Sequence, residues 1–127
     1  MKIMLVDDSR TIRNIQKNIL GQLGHTEIVE AADGVEAMKT LESVEPDLML
    51  LDWNMPNMDG LTLLKTLREK GRKFPIIMCT TEAEKSRVIA AIQAGASNYV
   101  VKPFSTETLA EKIAQTVKRA AAAPAPA

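Results

Sequence analysis

The sequence predicts an α/β fold in which helices cover both faces of an open, five-stranded parallel sheet. Apolar runs of strand length alternate five times with segments of helical periodicity. The third run, residues 48–51, is unbroken until it meets Asp52, and turn residues follow. Such a run is typical of a strand buried on both faces of a parallel sheet. Right-handed crossovers build a parallel sheet from this alternation. Since five strands are too few for an eight-stranded barrel, we expect an open, doubly wound sheet.

Length and composition restrict the classes of protein to which the chain can belong. A chain of 127 residues suits one domain with one core. Sixteen basic residues balance sixteen acidic ones, and only 3% are aromatic, which argues against nucleic acid or an anionic membrane as a partner. No apolar run approaches the roughly 20 residues that span a bilayer. We therefore expect a cytoplasmic protein in which the single cysteine, Cys79, is a core residue.

The first two strands and helices are marked by changes of periodicity and by capping residues. Residues 2–6 form the first strand, and a weaker second strand is centred on residues 28–29. The helix between them repeats Ile12, Ile15, Ile19 and Leu23 and closes at Gly24. The second helix starts with a capping box in which Asp33 is the N-cap and Glu36 follows three residues later. Its apolar residues predict that it continues to Pro46.

The remaining elements continue the alternation. The third helix runs from about Asp59 to near Gly71, the fourth strand covers residues 74–79, its helix stops near Gly95, and the fifth strand covers residues 98–101. In the fourth helix we expect Val88, Ala91 and Ile92 to face the core. The last helix begins around Thr106. Its end closes a domain of residues 1–119, and the alanine- and proline-rich residues 120–127 are expected to form a flexible tail.

Polar side chains occur at the ends of four of the five predicted strands. They are Asp7 and Asp8 after the first strand, Asp52 at the third, Thr80 at the fourth and Lys102 at the fifth. A single polar residue in such a place is usually only a turn residue. In a parallel sheet, however, the carboxyl ends of all strands lie at one edge, where ligands bind. Three acids, a hydroxyl and an amine at this edge therefore indicate a functional site.

The chemistry of this group of side chains favours phosphoryl transfer. Three neighbouring carboxylates repel one another unless a cation neutralises them. Oxygen ligands without cysteine or histidine favour Mg²⁺ over Zn²⁺. A metal ion, a lysine ammonium and a hydroxyl can together stabilise a transferring phosphoryl group, and a carboxylate can act as the nucleophile. The residues thus predict phosphoryl transfer onto an aspartate.

The chain resembles the response-regulator receiver domains of two-component signalling over residues 2–119. The resemblance lies in the acidic pair Asp7-Asp8, in Asp52 within the segment Leu-Asp-Trp-Asn-Met-Pro-Asn-Met-Asp-Gly, in Thr80 and in Lys102-Pro103-Phe104. The segments at residues 53–56, 94–97 and 99–104 are most similar to the single-domain chemotaxis members of that family. The resemblance implies a flavodoxin-like sheet with strand order 2-1-3-4-5 and five helices.

The resemblance also implies a phosphoacceptor site. Asp52 would accept phosphate from a partner histidine kinase, of the chemotaxis type. The ligands of Mg²⁺ would be Asp7 (mainly through a water), Asp8, Asp52 and the backbone carbonyl of Asn54. Lys102 would pair with the phosphate and Thr80 would swing towards it, so the domain would catalyse only its own phosphorylation and dephosphorylation. We expect Trp53, beside this site, to be partly exposed.

A switch and a limited lifetime of the phosphorylated state are further implications of the resemblance. Tyr99 would turn inward as Thr80 moves. This would change the face made by the fourth helix, fifth strand and fifth helix, which would bind a target such as the flagellar motor switch. Asn54 and Glu82 would flank the water that hydrolyses the acyl phosphate, with a phosphatase as a further partner. The Lys102-Pro103 peptide would be cis, a form far commoner before proline than elsewhere.

Three alternative functions compete with this one, and the last of them, an electron carrier, is set aside. The chain could be the receiver domain of a larger regulator whose DNA-binding or enzymatic output domain follows the tail. Phosphohydrolases of the haloacid dehalogenase type also use Asp, Mg²⁺ and Lys on a parallel sheet. They carry an Asp-x-Asp motif at the nucleophile, whereas this chain has Asn54 at the second acidic position and so lacks the general acid. A flavodoxin-like electron carrier needs a phosphate-binding loop after the first strand, where Asp7 and Asp8 would repel the flavin phosphate.

Overall fold

In the part of the chain that the structure describes, five strands alternate with five α-helices, as the periodicity predicts. The structure, a computed structural model, describes residues 1–81, 86–102 and 104–122. In chain order the elements are β1 (Lys2–Val6), α1 (Arg10–Gln22), β2 (Glu27–Ala31), α2 (Gly34–Thr40), β3 (Leu48–Asp52), α3 (Gly60–Glu69), β4 (Ile76–Thr81), α4 (Val88–Gln93), β5 (Asn98–Lys102) and α5 (Thr106–Ala122). None of the helices in the described part of the chain is long and apolar enough to cross a membrane.

The sheet is entirely parallel and has the order β2-β1-β3-β4-β5, which confirms the predicted flavodoxin-like topology. β3 is the central strand, and in its register with β4 Asp52 is opposite Cys79. β4 is in register with β5, where Thr81 is opposite Lys102. The carboxyl ends of β1, β3, β4 and β5 therefore form one continuous edge.

Apolar side chains fill both faces of the sheet. Alternate residues of each strand point to opposite faces, so β3 contributes Met49 and Leu51 to one apolar cluster and Leu48 and Leu50 to the other. The first cluster also contains residues of α2, α3 and α4, and the second contains residues of α1 and α5. Burial on both faces explains why β3 is apolar at every position before Asp52.

Cys79 is a core residue, as predicted. It is fully buried in the second cluster, and burial raises the pKa of its thiol to about 12. The thiol therefore stays protonated and unreactive at neutral pH.

Side-chain oxygens cap the first turns of α1, α2 and α3. The N-cap of α1 is Ser9, whose hydroxyl accepts a hydrogen bond from the Ile12 N–H at 3.2 Å. For α2, the predicted N-cap Asp33 accepts from the Glu36 N–H at 2.8 Å. For α3, Asp59 accepts from the Thr62 N–H at 2.8 Å. These polar residues follow apolar strands and start the helices close to the carboxyl edge of the sheet.

Helix α2 ends at Thr40, so the prediction that it continues to Pro46 is wrong. Beyond Thr40 the chain makes tight turns. The guanidinium of Arg72 donates hydrogen bonds to the carbonyls of Leu41 and Val44, at 3.1 and 3.3 Å. A side chain from a distant segment thus satisfies carbonyls that would otherwise need a helix cap, and this interaction is not visible in the local sequence.

Helices α4 and α5 also differ from the prediction. Ala91 of α4 is buried as expected, but Ile92 is 46% exposed and Ile89 is 70% exposed. Ala91 is the buried residue of the six-residue α4, and Ile92 lies outside the face that packs on the sheet. Helix α5 continues to Ala122, so three alanines that we assigned to the tail are helical, in keeping with the high helix propensity of alanine. Residues 123–127 lie outside the described part of the chain.

Candidate functional site

The polar residues at the strand ends meet at the carboxyl edge of the sheet, as their positions in the sequence predict. Asp7 and Asp8 directly follow β1, and Asp52 is the last residue of β3. One carboxylate oxygen from each of these three acids lies within 4.8 Å of the other two. Asp7 and Asp52 are buried, whereas Asp8 is exposed. The arrangement is an acidic pocket that is open on the side of Asp8.

Lys102 bridges two of the three acids. Its ammonium Nζ donates a hydrogen bond to Asp52 Oδ1 at 2.6 Å and another to Asp7 Oδ2 at 3.1 Å. Since β4 lies between β3 and β5, the Lys102 side chain reaches across the end of β4 to make these contacts. Burial by itself would lower the pKa of this ammonium, but Asp52 and Asp7 outweigh that effect and raise the pKa. Lys102 therefore carries its charge at neutral pH.

The negative charge of the pocket exceeds the positive charge that the described residues bring to it. Only Lys102 among those residues forms a salt bridge with Asp7 or Asp52. Burial raises the pKa of Asp52 to about 6; Lys102 opposes this shift, and the charges of Asp7 and Asp8 add to it. A cation would relieve the crowding of the carboxylates, and the oxygen-only donor set is compatible with Mg²⁺.

Asp7 is held by contacts that the sequence analysis missed. Its N–H donates to the Ala31 carbonyl at 3.1 Å, and its carboxylate accepts from the Ser9 N–H at 2.9 Å. The guanidinium of Arg13 donates to the Asp7 carbonyl and pairs with Glu30 of β2 at 3.0 Å. No local signal identifies Arg13, because its contacts depend on how α1 packs on β1 and β2.

Thr80 is fully buried, and its hydroxyl has no hydrogen-bond partner within the part of the chain that the structure describes. It is opposite Val101 in the register of β4 with β5, one position before the pair formed by Thr81 and Lys102. A buried hydroxyl without a partner costs free energy, about 1–3 kcal/mol. Among the described residues, this hydroxyl is therefore available to a further hydrogen-bond partner.

The backbone at Asp52 approaches the start of α3 so closely that only glycine fits at the first residue of this helix. A Cβ on Gly60 would lie 2.1 Å from the Asp52 carbonyl oxygen, and the Gly60 N–H donates to the Trp53 carbonyl at 2.9 Å. Trp53 is only 4% exposed, so our expectation of partial exposure is wrong. It continues the alternation of β3 and joins Leu51 in the first apolar cluster. The indole is therefore a buried group one residue from Asp52.

The other predicted site residues have mixed outcomes. Asn54 is exposed in the loop after β3. Tyr99 of β5 is half-buried against the first apolar cluster, and the Lys112 ammonium of α5 lies 4.5 Å from its ring centroid. Glu82 and Pro103 lie outside the described residues, so their roles in hydrolysis and in a cis peptide stay predictions.

Fold and site together define a class of protein. The protein has an open parallel sheet of this order, and an acidic pocket bridged by a lysine lies at the carboxyl edge of the sheet. The chain belongs to the response regulator receiver domain family, whose model matches residues 3–114. It is thus a receiver domain of two-component signalling.

Individual relatives place the chain near the chemotaxis regulators of this family. It is 47% identical over 116 residues to chemotaxis protein CheY1 of Helicobacter pylori, covering 89% of this chain and 94% of that protein. It is 49% identical to the chemotaxis protein CheY homolog of Campylobacter jejuni, covering 89% of each. We therefore describe it as CheY-like.

Solved receiver domains share this fold. Chemotaxis response regulator CheY4 of Vibrio cholerae has a TM-score of 0.82 at 34% identity, with 91% of this chain and 97% of that one covered. The receiver domain of NtrX from Brucella abortus has a TM-score of 0.86 at 27% identity, with 92% and 98% covered. Because the identity to the chemotaxis proteins is higher, the alternative of a larger regulator is not favoured.

Proposed function

We propose that Asp52 is the phosphoacceptor, and that a partner histidine kinase supplies the phosphoryl group. The observation that carries this proposal is the position of the Asp52 carboxylate: it ends the central strand, bonds Lys102 Nζ at 2.6 Å and shares a pocket with two further acids. Burial, a raised pKa and an ammonium partner at a ligand-binding edge together support a functional role for Asp52.

The transfer is a displacement at phosphorus. A carboxylate oxygen of Asp52 forms a P–O bond, the P–N bond to the kinase histidine breaks, and its electron pair stays on the imidazole nitrogen, which takes up a proton. Lys102 already touches Asp52 and is positioned to neutralise charge on the oxygens of the transferred group. The domain thereby takes part in its own phosphorylation, and a small phosphodonor such as acetyl phosphate can replace the kinase.

The residues present fit Mg²⁺. The pocket offers carboxylate oxygens only, and its negative charge exceeds the charge of Lys102. We propose that Asp7, Asp8, Asp52 and the backbone carbonyl of Asn54 hold the ion, which when bound supplies positive charge opposite the phosphoryl oxygens. Asp7, anchored by the Ser9 N–H and by Arg13, acts through a water.

Phosphorylation would give the buried Thr80 hydroxyl the partner that the described residues do not provide. An acyl phosphate adds negative charge and three strong acceptor oxygens, and satisfying them draws Thr80 towards Asp52. We propose that Tyr99 then turns inward and changes the face formed by α4, β5 and α5. This face carries the exposed Ile89 and Ile92, which suit an apolar contact with a target protein. We propose that this target is the flagellar motor switch of chemotaxis.

Hydrolysis returns the switch to its resting state. We propose that Asn54 and Glu82 flank the attacking water, so that apolar replacements at either position change the lifetime of the phosphorylated state, and that a phosphatase accelerates the same step. The receiver unit includes the whole of α5, to Ala122, and works in the cytoplasm.

The test is covalent incorporation of phosphate from acetyl phosphate with Mg²⁺, read by intact mass. We expect the wild type to gain one phosphoryl group and Asp52→Asn to gain none. Asp59→Asn is the matched control: it removes a carboxylate from the same loop but keeps a residue that can cap α3, and it should be phosphorylated like the wild type. Incorporation that persists in Asp52→Asn would rule out Asp52 as the acceptor.

A further inference from the structure

The loop between β3 and α3, residues 53–59, is fixed where it begins and ends. The Gly60 N–H donates to the Trp53 carbonyl at 2.9 Å, which brings the two ends of the loop together. The same closure leaves no space for a side chain at Gly60, because a Cβ there would meet the Asp52 carbonyl oxygen at 2.1 Å. Because the two ends of the loop are held together, a further contact at its tip restrains the orientation of the residues in between.

The tip of the loop is bonded to the start of α2. The Asn57 side-chain amide donates to Asp33 Oδ2 at 2.9 Å. The other carboxylate oxygen of Asp33, Oδ1, accepts from the Glu36 N–H at 2.8 Å as the N-cap of α2. Asn57 has a φ of 68°, the left-handed region that asparagine tolerates better than most residues. One carboxylate thus serves a helix and a loop at the same time.

A second contact supports the same arrangement. A Cβ on Gly34, the first residue of α2, would lie 2.8 Å from the Met58 Cβ, so helix and loop approach closely at this point. Met58 also packs against the first apolar cluster. The loop is therefore supported along one side by the N-terminal end of α2, and the Asn57–Asp33 bond joins the two.

We propose that Asp33 and Asn57 are positioning residues that hold the Asn54 carbonyl in place as a ligand at the acidic pocket. This inference rests on the proposed function, since Asn54 is a ligand only if the pocket binds Mg²⁺. Neither residue belongs to the acidic cluster of Asp7, Asp8 and Asp52. They act through the loop: with the bond intact, Mg²⁺ meets a preorganised carbonyl; without it, binding has to order the loop first.

The experiment measures the Mg²⁺ dissociation constant from Trp53 emission in the wild type, Asp33→Ser, Asn57→Gly and the double variant. Serine keeps an N-cap acceptor for α2 but cannot also bind Asn57, and glycine removes the amide while tolerating the positive φ. We expect each single variant to weaken Mg²⁺ binding about two- to tenfold, as for the loss of one hydrogen bond. The double variant should be no weaker than the weaker single variant.

Two further readouts distinguish a positioning role from a general loss of folded structure. The free energy of unfolding in EDTA should change little in Asn57→Gly, because the bond is solvent-exposed. The rate of phosphorylation by acetyl phosphate should fall at low Mg²⁺ and recover at saturating Mg²⁺. Additive losses in the double variant, or unchanged Mg²⁺ affinity in Asn57→Gly, would overturn the inference. A wild type that binds no Mg²⁺ would instead overturn the proposed function.

Discussion

Two buried polar clusters lie at opposite ends of β5, and they differ in how completely their groups are bonded. At the start of the strand, Asn98 Nδ2 donates to Thr116 Oγ1 of α5 at 3.1 Å, and Thr116 Oγ1 donates to the Lys112 carbonyl at 2.6 Å. The Asn98 side-chain oxygen accepts from the Tyr99 N–H at 2.9 Å. Each of these side chains has a partner within the protein.

The cluster at the other end of β5 is incomplete. Lys102 meets both Asp7 and Asp52, which leaves the acids in excess, and among the described residues nothing bonds the Thr80 hydroxyl. A satisfied network fixes one structure, whereas an unsatisfied one costs stability and persists where a ligand completes it. The first cluster therefore attaches α5 to the sheet, and the second is the candidate functional site.

The largest expected effect comes from removing the central charge of the incomplete cluster. Asp52→Asn should raise the free energy of unfolding in EDTA at pH 7 by on the order of 2 kcal/mol, because burial makes the Asp52 carboxylate unfavourable in the folded state. Urea denaturation measures the change. Asp47→Asn, a substitution at the exposed residue before β3, is the control and should not stabilise the protein.

The pH dependence of that difference is a sharper test. The pKa of Asp52 is raised from 3.8 to about 6, so the folded protein holds this proton more tightly than the unfolded chain does. Asp52 therefore makes wild-type stability fall as pH rises from about 4 to about 6, with no further change above. Asp52→Asn lacks this loss. The two proteins should differ most above pH 6 and converge near pH 4; a difference independent of pH would contradict the assignment.

A smaller effect is expected when one threonine of each cluster is replaced by valine. Thr116→Val should destabilise the protein by about 1–2 kcal/mol, because Asn98 Nδ2 loses its acceptor. Thr80→Val removes a hydroxyl without a partner among the described residues, and should stabilise the resting protein by up to about 1 kcal/mol. Equilibrium unfolding of both variants measures the two signs. Destabilisation of equal size in both would show that the clusters do not differ as described.

Much of the site was predictable because a parallel sheet gathers its strand ends. Periodicity located β1, β3, β4 and β5, and the residue that ended each apolar run was the one that reached the common edge. Arg13 and the Asp33–Asn57 bond were not predictable, since each depends on the packing of segments distant in sequence. The prediction that Ile92 faces the core was wrong because a helix of six residues has fewer than two turns, too few for periodicity to define its buried face.

The most direct test of the central claim, that the incomplete cluster binds Mg²⁺ and accepts phosphate, is Trp53 emission in wild type and Asp52→Asn. Trp53 directly follows Asp52 and is the single tryptophan. Mg²⁺ followed by beryllofluoride, a mimic of the acyl phosphate, should change wild-type emission in two steps. Asp52→Asn should lose the beryllofluoride step. No response of the wild type to either ligand would contradict the account.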